Sequence, residues 1–409
     1  MNIEKNLEKY ADLIVNTGLN IQPKDAVSIR FTVDALELAR LVSKKAYEKG
    51  AKNVDLRFSD DQMMLDRYLY ATDDAFESVP QYQVDYAEQQ FLDNTHVLAL
   101  VAPNPDLLKP ADPKRIGEWS KVVSIANKPI QKYTLQNIVK WTIAAVPSDA
   151  WVEAVFPELP LEEGRDKLWQ AVFDATRVST DDPVAAWEEH DKALKAHETY
   201  LNEANFEKLL FQGPGTDLEV YLVENHQWMG GSSTHSGGDR FFPNIPTEEV
   251  FSMPHADKVN GTLRATMPLS VRGQLVDDFH FTFKDGKVVD FDAGVGKQIL
   301  QDLLDTDEGA RYLGEVALVA DNSPISNTGI LFKNTLFDEN ASCHFALGAS
   351  YAENLKGSRD RTEEENRALG ANDSLIHVDF MVGSADVTVT GVKHNGERVV
   401  LLEDGEWQI

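Results

Sequence analysis

The chain has 409 residues and a formal net charge of −28 at pH 7, with 42% hydrophobic, 26% charged and 9% aromatic residues. That length suffices for two domains with buried cores, and the apolar and aromatic content assigns the acidity to a folded surface rather than to a disordered chain. Such a charge repels a phosphate backbone and an anionic bilayer, so neither nucleic acid nor membrane is expected as a partner, whereas cations are favoured.

Ile3, Leu7, Tyr10, Ala11 and Ile14 recur at helical spacing. Glu4, Lys5, Glu8 and Lys9 in the same stretch break up the apolar run that a signal peptide needs, so a cytoplasmic protein is expected. Ala26–Phe31 reads as a strand, 36–49 as a helix stopped by Gly50, and Asn53–Phe58 as a second strand. Longer helical stretches lead to buried strands at 96–101 and 138–146, and apolar runs such as 97–103 fall far short of the ~20 residues that cross a bilayer. Helices alternating with short apolar strands predict a parallel sheet, an α/β N-terminal domain. No glycine-rich phosphate fingerprint follows any of these strands. Charged helices from about 164 to 205 bridge to the second half, so the expected domains are 1–204 and 205–409.

Beyond residue 205 the pattern changes. Strands are expected at 218–223, 261–267, 279–283 and 288–291, the last two joined by an Asp285-Gly286 hairpin turn. Asn395-Gly396 and Asp404-Gly405 mark further turns, and one helix is expected at 296–304. This half is therefore an α+β domain with mainly antiparallel strands. His197-Glu198 begins like a metalloprotease helix, but Leu201 occupies the fifth position, where HExxH needs its second histidine. Gly296-Lys297 lacks the rest of a P-loop, and no G-x-S-x-G elbow surrounds Ser232, Ser233 or Ser236.

Four segments carry chemistry. In 375–381 a strand puts Ile376, Val378 and Phe380 on one face and His377 and Asp379 on the other, where imidazole and carboxylate can reach one metal; a solvated strand face is the other reading. In 338–344, Asp-Glu-Asn-Ala-Ser-Cys-His, the sole cysteine Cys343 excludes an intrachain disulfide and a Cys-rich zinc module. Tyr351 lies seven residues past His344, on the same face if the segment is helical, although Gly348 interrupts it; the alternative is a polar loop. Glu315 opens an apolar strand, where a buried carboxylate needs a partner such as a metal unless it faces water. Glu248 and Glu249 lie between Pro246 and Pro254, which restrict the backbone around them, and nothing in the pattern chooses between the two. Imidazole and carboxylate ligands without thiolate admit Zn, Co, Mn or Mg.

Together, Asn-Ile-Pro-Thr-Glu-Glu-Val-Phe (244–251), Leu-Gly-Glu-Val-Ala (313–317), Asp-Glu-Asn-Ala-Ser-Cys-His with Ala-Leu-Gly-Ala-Ser-Tyr (338–351) and Ile-His-Val-Asp-Phe (376–380) resemble the aminopeptidase T/aminopeptidase S/PepS family, the thermophilic-type leucyl metalloaminopeptidases. The resemblance covers essentially the whole chain. It implies two divalent metal ions per chain, held by Glu249, Glu315, His344, His377 and Asp379, with Glu315 or Asp379 as the bridge. It implies Glu339 as a further ligand or a general base, and Tyr351 as a ligand or transition-state stabiliser. The implied reaction is release of N-terminal residues from short peptides by a bridging hydroxide, in a homodimer. Two other classes stand beside it: another dinuclear metallohydrolase acting on an amide or ester, and a non-catalytic metal- or peptide-binding protein.

Overall fold

The computed structural model describes residues 2–271 and 274–409. The chain forms two compact units, one comprising residues up to Glu189 with Ser232–Pro246, the other His190–Gly231 with Thr247–Ile409.

The first unit is built on a parallel sheet, as the alternation of helices and apolar strands predicts. Its spatial order is Asn53–Phe58, Ala26–Phe31, Thr95–Val101, Trp141–Ala145 and finally Asn244–Ile245. Val27, Ile29, Leu98, Leu100 and Ala144 are buried on it, which is why these strands read as continuous apolar runs. The helices Ile3–Leu13, Leu36–Glu48, Gln81–Leu92 and Pro113–Leu135 belong to the same unit. Asp60, Asp112 and Ser148 cap helix starts by accepting backbone N–H bonds.

Among the described residues of the second unit every strand pairing is antiparallel. A nine-stranded sheet and a five-stranded sheet share one apolar core, which includes Phe211, Phe279, Val316, Phe345 and Phe380. Asp285-Gly286 and Asp404-Gly405 make the expected turns, each with both residues at positive φ, the geometry that matches the twist of a hairpin.

The division departs from the boundary expected at 204/205. The helix Pro183–Ala204 enters the second unit at His190, because Leu194 and Leu201 are buried in that unit's core. Asn202 secures it, donating to the Trp228 carbonyl at 3.0 Å and accepting from the Trp228 N–H at 3.0 Å. Residues 232–246 then return to the first unit and add its edge strand. A second correction concerns 338–351, where the helix considered for His344 and Tyr351 does not form. Thr335–Asp338 is one short helical turn, Ser342 is extended, and His344–Gly348 is a fully buried strand. Burial of Phe345 and Leu347 in the core outweighs the helical alternative. No helix among the described residues is long and apolar enough to cross a membrane.

Candidate metal centre

The five-stranded sheet runs His377–Met381, His344–Gly348, Leu313–Leu318, Val250–Ser252, Met229–Gly230. Alternation gives it two unlike faces. Val316, Leu318, Phe345, Leu347 and Phe380 point into the core. The opposite face carries Glu315, Ala317, His344, Ala346, His377 and Asp379. Register aligns them: Glu315 lies beside Ala346, which lies beside Asp379, and Ala317 lies beside His344. The small Ala346 thus separates two carboxylates without filling the space above the sheet, and Gly348 does the same beside His377.

Glu249 enters from the residue before Val250–Ser252. Of the two adjacent glutamates, it is Glu249 that joins the cluster. Glu248 faces His190, with Oε2 at 3.5 Å from Nε2, and its backbone N–H donates to Asn340 Oδ1 at 2.7 Å. Asn340, wholly buried, also donates to the Leu336 carbonyl at 2.9 Å and to Glu339 Oε1 at 3.4 Å. It ties the Glu249 segment to the Glu339 segment, a link no sequence spacing signals, because the pair is 92 residues apart.

Two donor groups result, Glu249–Glu315–His344 and Glu315–His377–Asp379, each with ligand atoms within 4.8 Å of one another. Glu315 belongs to both. His344 Nε2 is 3.1 Å from Glu249 Oε2 and 3.6 Å from Glu315 Oε1, while His377 Nε2 is 3.5 Å from Glu315 Oε2 and 3.4 Å from Asp379 Oδ1. Glu339 and Tyr351 are in neither group. Glu339 stands close enough for the charges of Asp379 and Glu249 to act on its carboxyl. The Tyr351 ring lies against His377 with centroids 4.7 Å apart, and against Phe251 at 6.0 Å.

The chemistry of this donor set fits divalent cations. His344 Nδ1 lies 3.1 Å from the Ser342 carbonyl and His377 Nδ1 lies 2.7 Å from that of Ala349. A carbonyl only accepts, so each Nδ1 carries a proton, and in the neutral form each ring would turn its Nε2 lone pair toward carboxylate oxygens. Glu249 Oε2, Glu315 Oε2 and Asp379 Oδ1 are buried without a hydrogen-bond partner. Lone pairs facing lone pairs in a buried site require a cation between them, either a metal ion or a proton. The protons that would otherwise fill this role leave their mark on the titration. Burial raises Glu315 to about 7, and burial followed by Asp379 and Glu249 holds Glu339 well above the carboxylate range. For His377, burial acts downward but Asp379 and Glu315 outweigh it and push the ring up to about 10. His344 is likewise raised by Glu249 and Glu315 against its burial.

Comparison with known proteins gives the family. The chain matches the thermophilic metalloprotease family M29 over residues 3–407. It is 45% identical over 404 residues to Aminopeptidase 2 of Geobacillus stearothermophilus, spanning 99% of this chain and 98% of that protein. It is 42% identical over 405 residues to Aminopeptidase T of Thermus aquaticus, spanning 99% of each. The solved structure of wild-type AmpT from Thermus thermophilus superposes with a TM-score of 0.94 at 39% identity, covering 100% of both chains. A family match across nearly the entire chain, together with these full-length relatives, bears out the resemblance carried by the four motifs: the chain belongs to the M29 family of thermophilic metalloproteases.

Proposed function

We propose that the chain is a metal-dependent aminopeptidase that releases N-terminal residues from short peptides, using two divalent ions per chain. The observation that carries this reading is the pair of donor groups sharing Glu315, with carboxylate oxygens and imidazole lone pairs left facing one another. One ion would be held by Glu249, Glu315 and His344, the other by Glu315, His377 and Asp379, so that Glu315 would serve both. Three carboxylates and two neutral imidazoles nearly balance two divalent charges, so the buried pair carries a small desolvation penalty. When bound, such a pair would supply Lewis acidity toward the scissile carbonyl and would activate water as the nucleophile.

The chain's own residues supply the rest. Glu339, beside both groups and in neither, would accept a proton from the attacking water and return it to the leaving amine. Tyr351, packed on His377, would donate its hydroxyl hydrogen to the oxyanion that forms on the substrate carbonyl. Short peptides as substrates, a homodimeric assembly and a cytoplasmic setting belong to the same proposal. The test compares leucine p-nitroanilide with its N-acetylated form, using metal-stripped protein with Co²⁺ or Zn²⁺ added back. Metal-dependent cleavage of the free-amine substrate alone is expected. Cleavage of both substrates would point to another amide or ester hydrolase, and no cleavage with two ions bound would leave a binding protein.

A further inference from the structure

Away from the metal centre, the first unit contains a cleft of ≈ 420 Å³ between the parallel sheet and the helices Gln81–Leu92 and Pro113–Leu135. That volume lies in the range of small-molecule sites. Arg30 and Arg57 line it side by side, being direct register partners on the neighbouring strands Ala26–Phe31 and Asn53–Phe58. Its walls combine apolar and aromatic side chains, Val84, Phe91, Val97 and Trp119 among them, with uncharged polar ones such as Gln83 and Asn127, and among the described residues no acid lines it. In a chain of net charge −28 this is an unusual place.

Arg30 is exposed and Arg57 half-buried. Among the described residues neither forms an ion pair with a carboxylate, and Arg57 rests on the Tyr86 ring at 4.3 Å. The acid on the same face, Asp55, is already engaged by Tyr86 Oη at 3.0 Å, Gln90 Nε2 at 2.8 Å and Ser28 Oγ at 3.3 Å. Partial desolvation and then the neighbouring Arg57 lower the pKa of Arg30, as expected of like charges held together. The topology points to the same place. From Ala26–Phe31 the chain moves to Asn53–Phe58 on one side, then crosses back to Thr95–Val101 on the other. Ligands of open parallel sheets bind at the carboxyl ends of the two strands flanking such a reversal, here Ala26–Phe31 and Thr95–Val101, so Arg30 lies at that point and Arg57 on the strand beside it. Arg30 and Arg57 are each one residue from the carboxyl end of their strand.

We propose that this cleft binds a small amphiphilic anion, a carboxylate or phosphate monoester on an apolar or aromatic body, with the oxyanion held by Arg30 and Arg57. A bidentate oxyanion would relieve the repulsion between the arginines, and the apolar body would fill the walls around Phe91 and Trp119.

The test is calorimetric titration of the metal-loaded protein with 3-phenylpropionate, phenyl phosphate, inorganic phosphate and benzyl alcohol. At least one of the two amphiphilic anions should bind once per chain, more tightly than inorganic phosphate or the neutral alcohol. The tighter of the two identifies carboxylate or phosphate as the preferred head group. Arg30→Met keeps the aliphatic stem and removes the charge, and should weaken binding about tenfold or more. Val84→Trp keeps both arginines and fills the cleft, so it should do the same even if the arginine variant folds poorly. Peptidase activity of Val84→Trp should be unchanged. The proposal is overturned if neither amphiphilic anion saturates, if binding survives both substitutions, or if stripping the metals alone abolishes it, which would put the probe at the metal centre.

Discussion

Glu315 and Glu249 differ in a way a metal assay can read. Glu315 belongs to both donor groups and Glu249 to one. Glu315→Gln should therefore abolish binding of both ions, whereas Glu249→Gln should lose one of the two, as measured by plasma mass spectrometry after dialysis. Glu339→Gln should keep its metal and lose about 10²–10⁴ in kcat, the contribution of a general base. If its metal content falls instead, Glu339 is a ligand. The titration shifts give a pH prediction for metal-free protein. His377 moves from 6.5 to about 10 on folding, so its stabilisation is complete below pH 6.5 and lost as pH rises through 10. Glu315, raised from 4.5 to about 7, likewise favours the folded state while protonated and loses that contribution by pH 7. Both signs agree: the Tm of EDTA-treated protein should fall from about pH 4.5 to 10, through Glu315 up to about 7 and through His377 above 6.5. With Zn²⁺ present the fall should vanish, because the metal requires these groups deprotonated; an unchanged fall would contradict the metal assignment.

At the scale of elements, the site is a sheet face, and its legibility follows from the sheet's period of two. Ile376-His377-Val378-Asp379-Phe380 alternates so strictly that its polar face could be read directly, and the structure brings His377 Nε2 to 3.4 Å from Asp379 Oδ1. The His344 strand was harder to read. Cys343, Phe345 and Leu347 suit a buried strand or a helix equally, and only the sheet partners decide. Asn340 and the outward turn of Glu248 toward His190 depend on contacts between segments far apart in the chain, so no local pattern announces them. Gly348 is the hinge of this element. It sits at φ +105°, and a Cβ there would overlap the Ile376 carbonyl oxygen. That carbonyl accepts from Ala349 N at 2.7 Å, and Ala349 in turn fixes the His377 ring through its own carbonyl. Gly348→Ala should cost about 2 kcal/mol or more in unfolding free energy. It should also weaken metal binding by displacing His377, measured by denaturant titration with and without Zn²⁺. An unaltered metal affinity would show that the ring is oriented by something other than this turn.

For the whole molecule, the helix–strand grammar identified an α/β half and an antiparallel half, but it misjudged where one ends. Composition changes at residue 205, where helix gives way to strand. Cohesion changes inside the helix, because Leu194 and Leu201 are buried under the second unit's sheets while the helix start belongs to the first unit. Nor does any turn signal mark 232–246 as a segment that leaves the second half to pair with Trp141–Ala145. The difference has a direct experimental consequence. A fragment of residues 205–409 loses Leu194, Leu201, the reciprocal Asn202–Trp228 hydrogen bonds and the His197 ring stacked on Trp407. Burying two leucines contributes about 3–6 kcal/mol, a large share of a domain's net stability. That fragment should therefore bind a hydrophobic dye and show no cooperative unfolding. A fragment of residues 190–409 in which 232–246 is replaced by a short flexible linker keeps every proposed metal ligand and the helix that closes the core. It should unfold cooperatively and bind Zn²⁺ with a stoichiometry of two. If both fragments behave alike, the core contributed by the helix is dispensable, and the unit boundary lies where composition changes rather than where burial does.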